Sequence, residues 1–121
     1  MPAEENKPND LNERLFNFSV EVILLLKKLD NQEPNRLFKY QLGKSATSCG
    51  ANYEESQAGI SKADFLNKVR IALKEMRESN YWLRLIKATN PKAQITDELD
   101  KLILESVELK KILGSIVNRM K

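Results

Sequence analysis

Apolar positions in this chain recur at alternating steps of three and four. Leu11, Leu15, Phe18, Val22, Leu25 and Leu29 form one such series. Phe65, Val69, Ala72, Met76, Leu83 and Ile86 form a second, with Ser79 in place. Leu99, Leu102, Leu109, Leu113, Ile116 and Met120 form a third, with Ser106 in place. This spacing is the seam of a helix packed nearly parallel to its neighbours. No stretch alternates with the period of two that a half-buried strand requires. Punctuation sets the ends. Asp10, with Glu13 three residues on, predicts a capped start, and the polar segment 30–35 a turn. Pro34 suits the first position of a helix, where its missing N–H is not needed. Gly59 closes the second helix, and Ser61 with Asp64 opens the third, flanked by Ile60 and Phe65 as a hydrophobic staple. Asn90-Pro91 breaks the chain and Thr96 caps the fourth helix. The expected helices therefore span about 10–29, 34–57, 61–88 and 96–120, behind a disordered leader at 1–9.

Short connections between long helices force antiparallel neighbours, so the expected fold is all-α, an antiparallel up-down-up-down four-helix bundle spanning residues 10–121. The second helix departs from the pattern. It is rich in small residues, Gly43, Ser45, Ala46, Thr47, Ser48, Cys49, Gly50 and Ala51, and Gly43, Thr47 and Gly50 share one face. Each helical Gly costs about 1 kcal/mol relative to Ala, so two of them predict close approach of another backbone. The first helix carries Phe16, Val20, Ile23 and Leu24 beside its seam. The fourth carries Ile103, Val107, Ile112 and Val117. Apolar surface beyond one stripe must be buried somewhere, which predicts a homo-oligomer.

Composition narrows the chemistry. The chain has 121 residues, one domain's worth, a net charge of +3 and a pI near 9.0. That balance permits a polyanionic partner without requiring one. Histidine is absent, which removes the commonest general base and metal ligand. The one cysteine, Cys49, has no partner for an intrachain disulfide, and among small residues it reads as a buried hydrophobe. No apolar run reaches the roughly 18 residues of a membrane span, and no signal-peptide core is present; the expectation is a soluble, cytoplasmic protein with no membrane partner.

Three groups of residues could carry chemistry or binding. Asn52 and Glu55 on helix two face Glu75 and Glu78 on helix three across the Gly59 turn; without histidine they read as a polar network that fixes helix register, not as a catalytic or metal site. Tyr81-Trp82 reads as a packing element in preference to a platform for bases. Arg70, Lys74, Arg77 and Arg84 on helix three, with Lys110, Lys111, Arg119 and Lys121 near the end, are the candidate nucleic-acid-binding residues. Ion pairs such as Asp64–Lys68 and Arg70–Lys74–Glu78 are the plainer account of the same charges.

Gln41-Leu42, the run Ala51-Asn52-Tyr53-Glu54-Glu55, Ser61, Asp64-Phe65, Ile71-Ala72-Leu73-Lys74-Glu75, Glu78-Ser79 and Tyr81-Trp82-Leu83 together resemble the bacterial four helix bundle protein family. That family includes proteins encoded in intervening sequences of large-subunit ribosomal RNA genes and the accessory variability proteins of diversity-generating retroelements. The resemblance covers Leu15 to Lys121. It implies a four-helix bundle assembled into an oligomeric ring, a homopentamer. In the retroelement branch it also implies a basic surface for nucleic acid, RNA or DNA, and for a reverse transcriptase. Where many relatives carry a basic pair after Gln-Leu, this chain has Gly43-Lys44. The functional expectation is a non-enzymatic, cofactor-free, homo-oligomeric interaction protein, with direct nucleic-acid binding as the alternative.

Overall fold

In the computed structural model, which describes residues 10–59, 61–91 and 94–120, four helices follow one another: α1 (Asp10–Leu26), α2 (Asn35–Ser56), α3 (Lys62–Thr89) and α4 (Thr96–Met120). The described residues contain no strand. Each helix packs on the next, and α1 closes against α4, which gives an antiparallel four-helix bundle. Residues 1–9, Ile60 and Lys121 lie outside the described residues, and with them the leader, the staple and the last candidate cation.

Helix ends follow local chemistry. The α3 start is held by Ser61, whose Oγ accepts from the Asp64 amide at 3.0 Å. Pro34 stands one position ahead of α2 and its carbonyl takes the Phe38 amide at 3.1 Å. Thr96 is the first residue of α4, not its cap; the Ile95 carbonyl takes the Leu99 amide instead. Helix α1 ends at Leu26, and Leu29 is reached through a turn, yet Leu29 still closes the core. Gly59 has φ +74, a left-handed conformation in which only glycine is unstrained.

All six members of the α1 seam are buried, as are Val69, Ala72, Met76, Ser79, Leu83 and Ile86 of α3. At the end of α4 the seam drifts by one residue: Val117 is buried and Ile116 only partly. A straight helix of 3.6 residues per turn slips against a repeat of 3.5, so the last turn exchanges one apolar residue for its neighbour. Helix α2 contributes Phe38, Leu42, Ala46, Cys49 and Tyr53. Its glycines do face α1: a Cβ on Gly50 would meet the Leu15 carbonyl oxygen at 3.6 Å and one on Gly43 the Leu26 Cδ1 at 3.6 Å. Both are ordinary contacts, so the small residues permit close approach without being strictly required by it.

Two buried polar pairs tie the core. The Ser45 and Ser79 hydroxyls meet at 2.8 Å between α2 and α3. Asn80 Nδ2 donates to Ser106 Oγ at 2.8 Å between α3 and α4. The two serines that interrupt the apolar seams thus each find a polar partner, as burial demands. At one end of the bundle, Asn35 and Asn90 exchange amide hydrogen bonds and Asn35 also donates to Asp30.

Candidate functional site

The surface divides into an apolar side and a basic side. On α1, Phe16, Val20, Ile23 and Leu24 remain exposed, Phe16 at 61% and Leu24 at 51%. Phe16, Val20 and Ile23, with Ser19, wall a groove of about 400 Å³ whose other side is Thr47, Gly50, Ala51 and Glu54 of α2. The small side chains of α2 leave it open; a leucine at 50 or 51 would fill it. The expected second apolar face of α4, by contrast, is absorbed into the bundle. Ile103 and Ile112 pack on the core, Val107 is half-buried and Val117 buried; Leu104, at 69%, is the large residue left outside. The largest share of the exposed apolar surface therefore lies on α1, with Leu37 and Tyr40 of α2 also outside, while the flank of α4 packs on the core.

Arg70, Lys74, Arg77, Tyr81 and Arg84 follow one another at steps of four and three and are all exposed. They occupy the side of α3 opposite Ser79, which faces α2. The expected ion pairs are not made: among the described residues, Arg70, Lys74 and Arg77 touch no carboxylate, and neither does Lys68. The carboxylates are engaged elsewhere. Glu78 accepts from the Trp82 indole at 3.2 Å, Asp100 pairs with Lys87 at 2.6 Å, and Glu98 pairs with Lys28. Lys110 lies one turn beyond Ser106, and since Ser106 meets Asn80, Lys110 stands level with Met76, beside the stripe. Lys111 is exposed on the outer side of α4. Arg119 is near its end and donates to Ser115 at 2.9 Å. Those two do not join the α3 stripe.

The expected polar network is not assembled. Asn52 turns back on its own helix, donating to the Ser48 carbonyl and hydroxyl, Glu55 is exposed, Glu78 is held by Trp82, and no hydrogen bond links any of them to Glu75. Asn52 and Glu55 lie 7 and 4 residues before Gly59 while Glu75 and Glu78 lie 16 and 19 after it, and with Ser45 opposite Ser79 the two pairs stand at different heights along the bundle. The polar register contacts are Ser45–Ser79 and Asn80–Ser106. Both serines of the apolar seams signalled that a partner was needed, and neither signalled which. No group of three or more His, Cys, Asp or Glu is placed to hold a metal ion among the described residues.

Titration follows the packing. Burial, with a smaller contribution from the Glu75 charge, pushes the Cys49 thiol up to about 12, so it is neither nucleophile nor ligand at neutral pH. Burial also raises the Tyr53 phenol. Between α1 and α4, Arg14 binds Glu105 through Nε and Nη2 at 3.0 and 2.7 Å, a two-pronged contact that raises the guanidinium pKa further against an opposing effect of burial. No described helix is long and apolar enough to cross a membrane.

The described residues thus form an all-α four-helix bundle with an open apolar groove on one side and a basic stripe on another. The chain belongs to the 23S rRNA-intervening sequence protein family, whose model matches residues 7–115. It is also similar to a crystal structure from Bacteroides thetaiotaomicron VPI-5482, a protein of unknown function from the S23 ribosomal protein family. The two are 34% identical with a TM-score of 0.78, over 88% of this chain and 97% of that one. No curated protein matches this chain.

Proposed function

We propose that this protein is a homo-oligomeric, non-enzymatic interaction module whose subunits join through the α1/α2 groove. The observation that carries this reading is the exposed stripe Phe16, Val20, Ile23 and Leu24 beside a groove floored by glycine and alanine. A patch of that kind on so small a chain is the mark of a docking surface, and a second copy supplies both the ridge and the cleft. A closed ring, five-membered by family resemblance, leaves no such surface open. Replacing Val20 and Ile23 together by Glu is expected to convert the assembly into a folded monomer of 13.9 kDa in light scattering, with helical circular dichroism unchanged. A wild-type protein that is already monomeric at micromolar concentration removes the reading.

A second reading is favoured by a separate observation: Arg70, Lys74 and Arg77 stand exposed in one row with no carboxylate against them. Such a row binds a polyanion, and assembly multiplies it. Membership of a family named for intervening sequences of 23S rRNA makes RNA the polyanion to test first. Affinity should fall with salt along a log–log line whose slope is about 0.7 for each phosphate neutralised on a single strand. Reversing the three residues to Glu should abolish retention while leaving the bundle folded.

A further inference from the structure

We propose that the outer face of α3 is a track for single-stranded nucleic acid, on which Tyr81 stacks one base and Arg84 holds the adjoining phosphate. This rests on the basic-stripe reading and goes further, because it names the strandedness and the residue that selects it.

Tyr81 sits within the row of cations, between Arg77 and Arg84, and the residue is 50% exposed. A large exposed aromatic has no role in the core. It is nevertheless held in place. Its ring meets Trp82 edge-on, with centroids 5.3 Å apart and planes at 75°, and Trp82 leans on the buried Phe38 at 6.1 Å. Trp82 is itself fixed by its bond to Glu78. Arg84 lies over the Tyr81 ring, with Cζ 5.8 Å from the centroid, and its Nε donates to Asn80 Oδ1 at 2.9 Å. Asn80 is anchored in turn on Ser106. Ring and guanidinium are thus both ordered before any ligand arrives, which lowers the entropy lost on binding. The two Nη groups of Arg84 have no partner among the described residues and are free for a phosphate.

The row runs from Arg70 to Arg84, about 21 Å along the helix, room for on the order of four nucleotides. A duplex offers phosphates to the cations but keeps its base faces stacked, so Tyr81 has nothing to bind there. A single strand offers both. Stacking is indifferent to base identity, so the track should be tolerant of sequence.

The test compares a short labelled RNA strand, the same sequence as DNA, and its duplex, by fluorescence anisotropy with wild type, Tyr81→Ala, Tyr81→Phe and the Arg70/Lys74/Arg77 to Glu variant. Wild type should prefer either single strand over duplex by about tenfold. Tyr81→Ala should bring single-strand affinity down to the duplex level, and Tyr81→Phe should retain it. Fluorescence of Trp82, the only tryptophan, should change on binding single strands and not duplex. The proposal is overturned if Tyr81→Ala binds single strands as wild type does while the triple reversal abolishes binding; the basic-stripe reading then stands alone. If no strand is bound at all, both fall. If RNA is preferred over DNA, the track stands and a 2′-hydroxyl contact is added to it.

Discussion

The outer faces of α1 and α3 pose opposite problems. Each lies behind a buried seam, of which only Phe65 at the start of α3 is partly exposed, and each carries a row of exposed residues one heptad repeat long or more. On α1 the row is Phe16, Val20, Ile23 and Leu24; on α3 it is Arg70, Lys74, Arg77, Tyr81 and Arg84. Exposed apolar surface is disfavoured by water and is stabilised by removing it, which a second copy can do. Exposed cations are well solvated, and their mutual repulsion is relieved by a polyanion. The two rows lie on different helices facing different ways, so assembly through one leaves the other accessible. The same helical period thus produces one apolar outer face and one basic outer face, which the proposed function assigns to self-association and to a polyanion.

This contrast is broken most severely within α1 itself. Leu25 is 1% exposed, and Leu25→Ala should cost about 3 kcal/mol of stability, read as a lowered denaturant midpoint. Ile23→Ala, two residues away at 43% exposure, should change the stability of the isolated bundle by less than about 0.5 kcal/mol while weakening assembly in light scattering. Equal effects of the two on folding would erase the distinction between seam and outer face. On the α3 side, Asn80→Ala removes the tether of Arg84 and leaves the Ser106 hydroxyl with only its bond to the Ile103 carbonyl. A loss of about 1–3 kcal/mol is expected, together with reduced affinity for single strands. If affinity is unchanged at full folding, Arg84 does not need its anchor.

Cys49 sharpens the comparison from the interior, since it sits on α2 below both faces. In the folded protein the thiol stays neutral until about 12, and in the unfolded chain it ionises near its ordinary value, about 8.5. The neutral folded form is therefore an advantage only for folding below that ordinary value. Stability should decline as pH rises from about 8.5 through 12. At pH 8 a thiol reagent should react with the native protein no faster than the protein unfolds, and rapid labelling would show that α2 opens. A small effect of opposite sign is expected at Gly114, where a Cβ would touch nothing within 4 Å. Gly114→Ala should raise stability by up to about 1 kcal/mol through helix propensity alone. Gly59→Ala should lower it by about as much, because φ is +74 there.

Most of the bundle was legible because the period of three and four is a local property. The seams of α1 and α3, the Ser61 start of α3 and the turn at Gly59 each depend on residues within a few positions of one another. The excess apolar face of α1 was legible for the same reason. The candidate site was legible only in part. The spacing of Arg70, Lys74, Arg77 and Arg84 placed them on one face, but whether Glu78 pairs with them depends on the fold, which gives Glu78 to the Trp82 indole. An aromatic beside a seam is usually buried, so the sequence reads Tyr81 as packing; here Trp82 takes the inward place and leaves its neighbour outside.

What the residues determined unaided was therefore the number of helices, their approximate ends and which stripe of each is oily, since all of these follow from spacing along one chain. Only the packed bundle decided that the flank of α4 is covered and that of α1 is not, and that Ser79 meets Ser45 and Ser106 meets Asn80. Those outcomes depend on the rotation of one helix about its axis relative to another. A rotation of one residue is 100°, too large an error for any pairing across helices to survive, and it is set by the fit of all the seams at once.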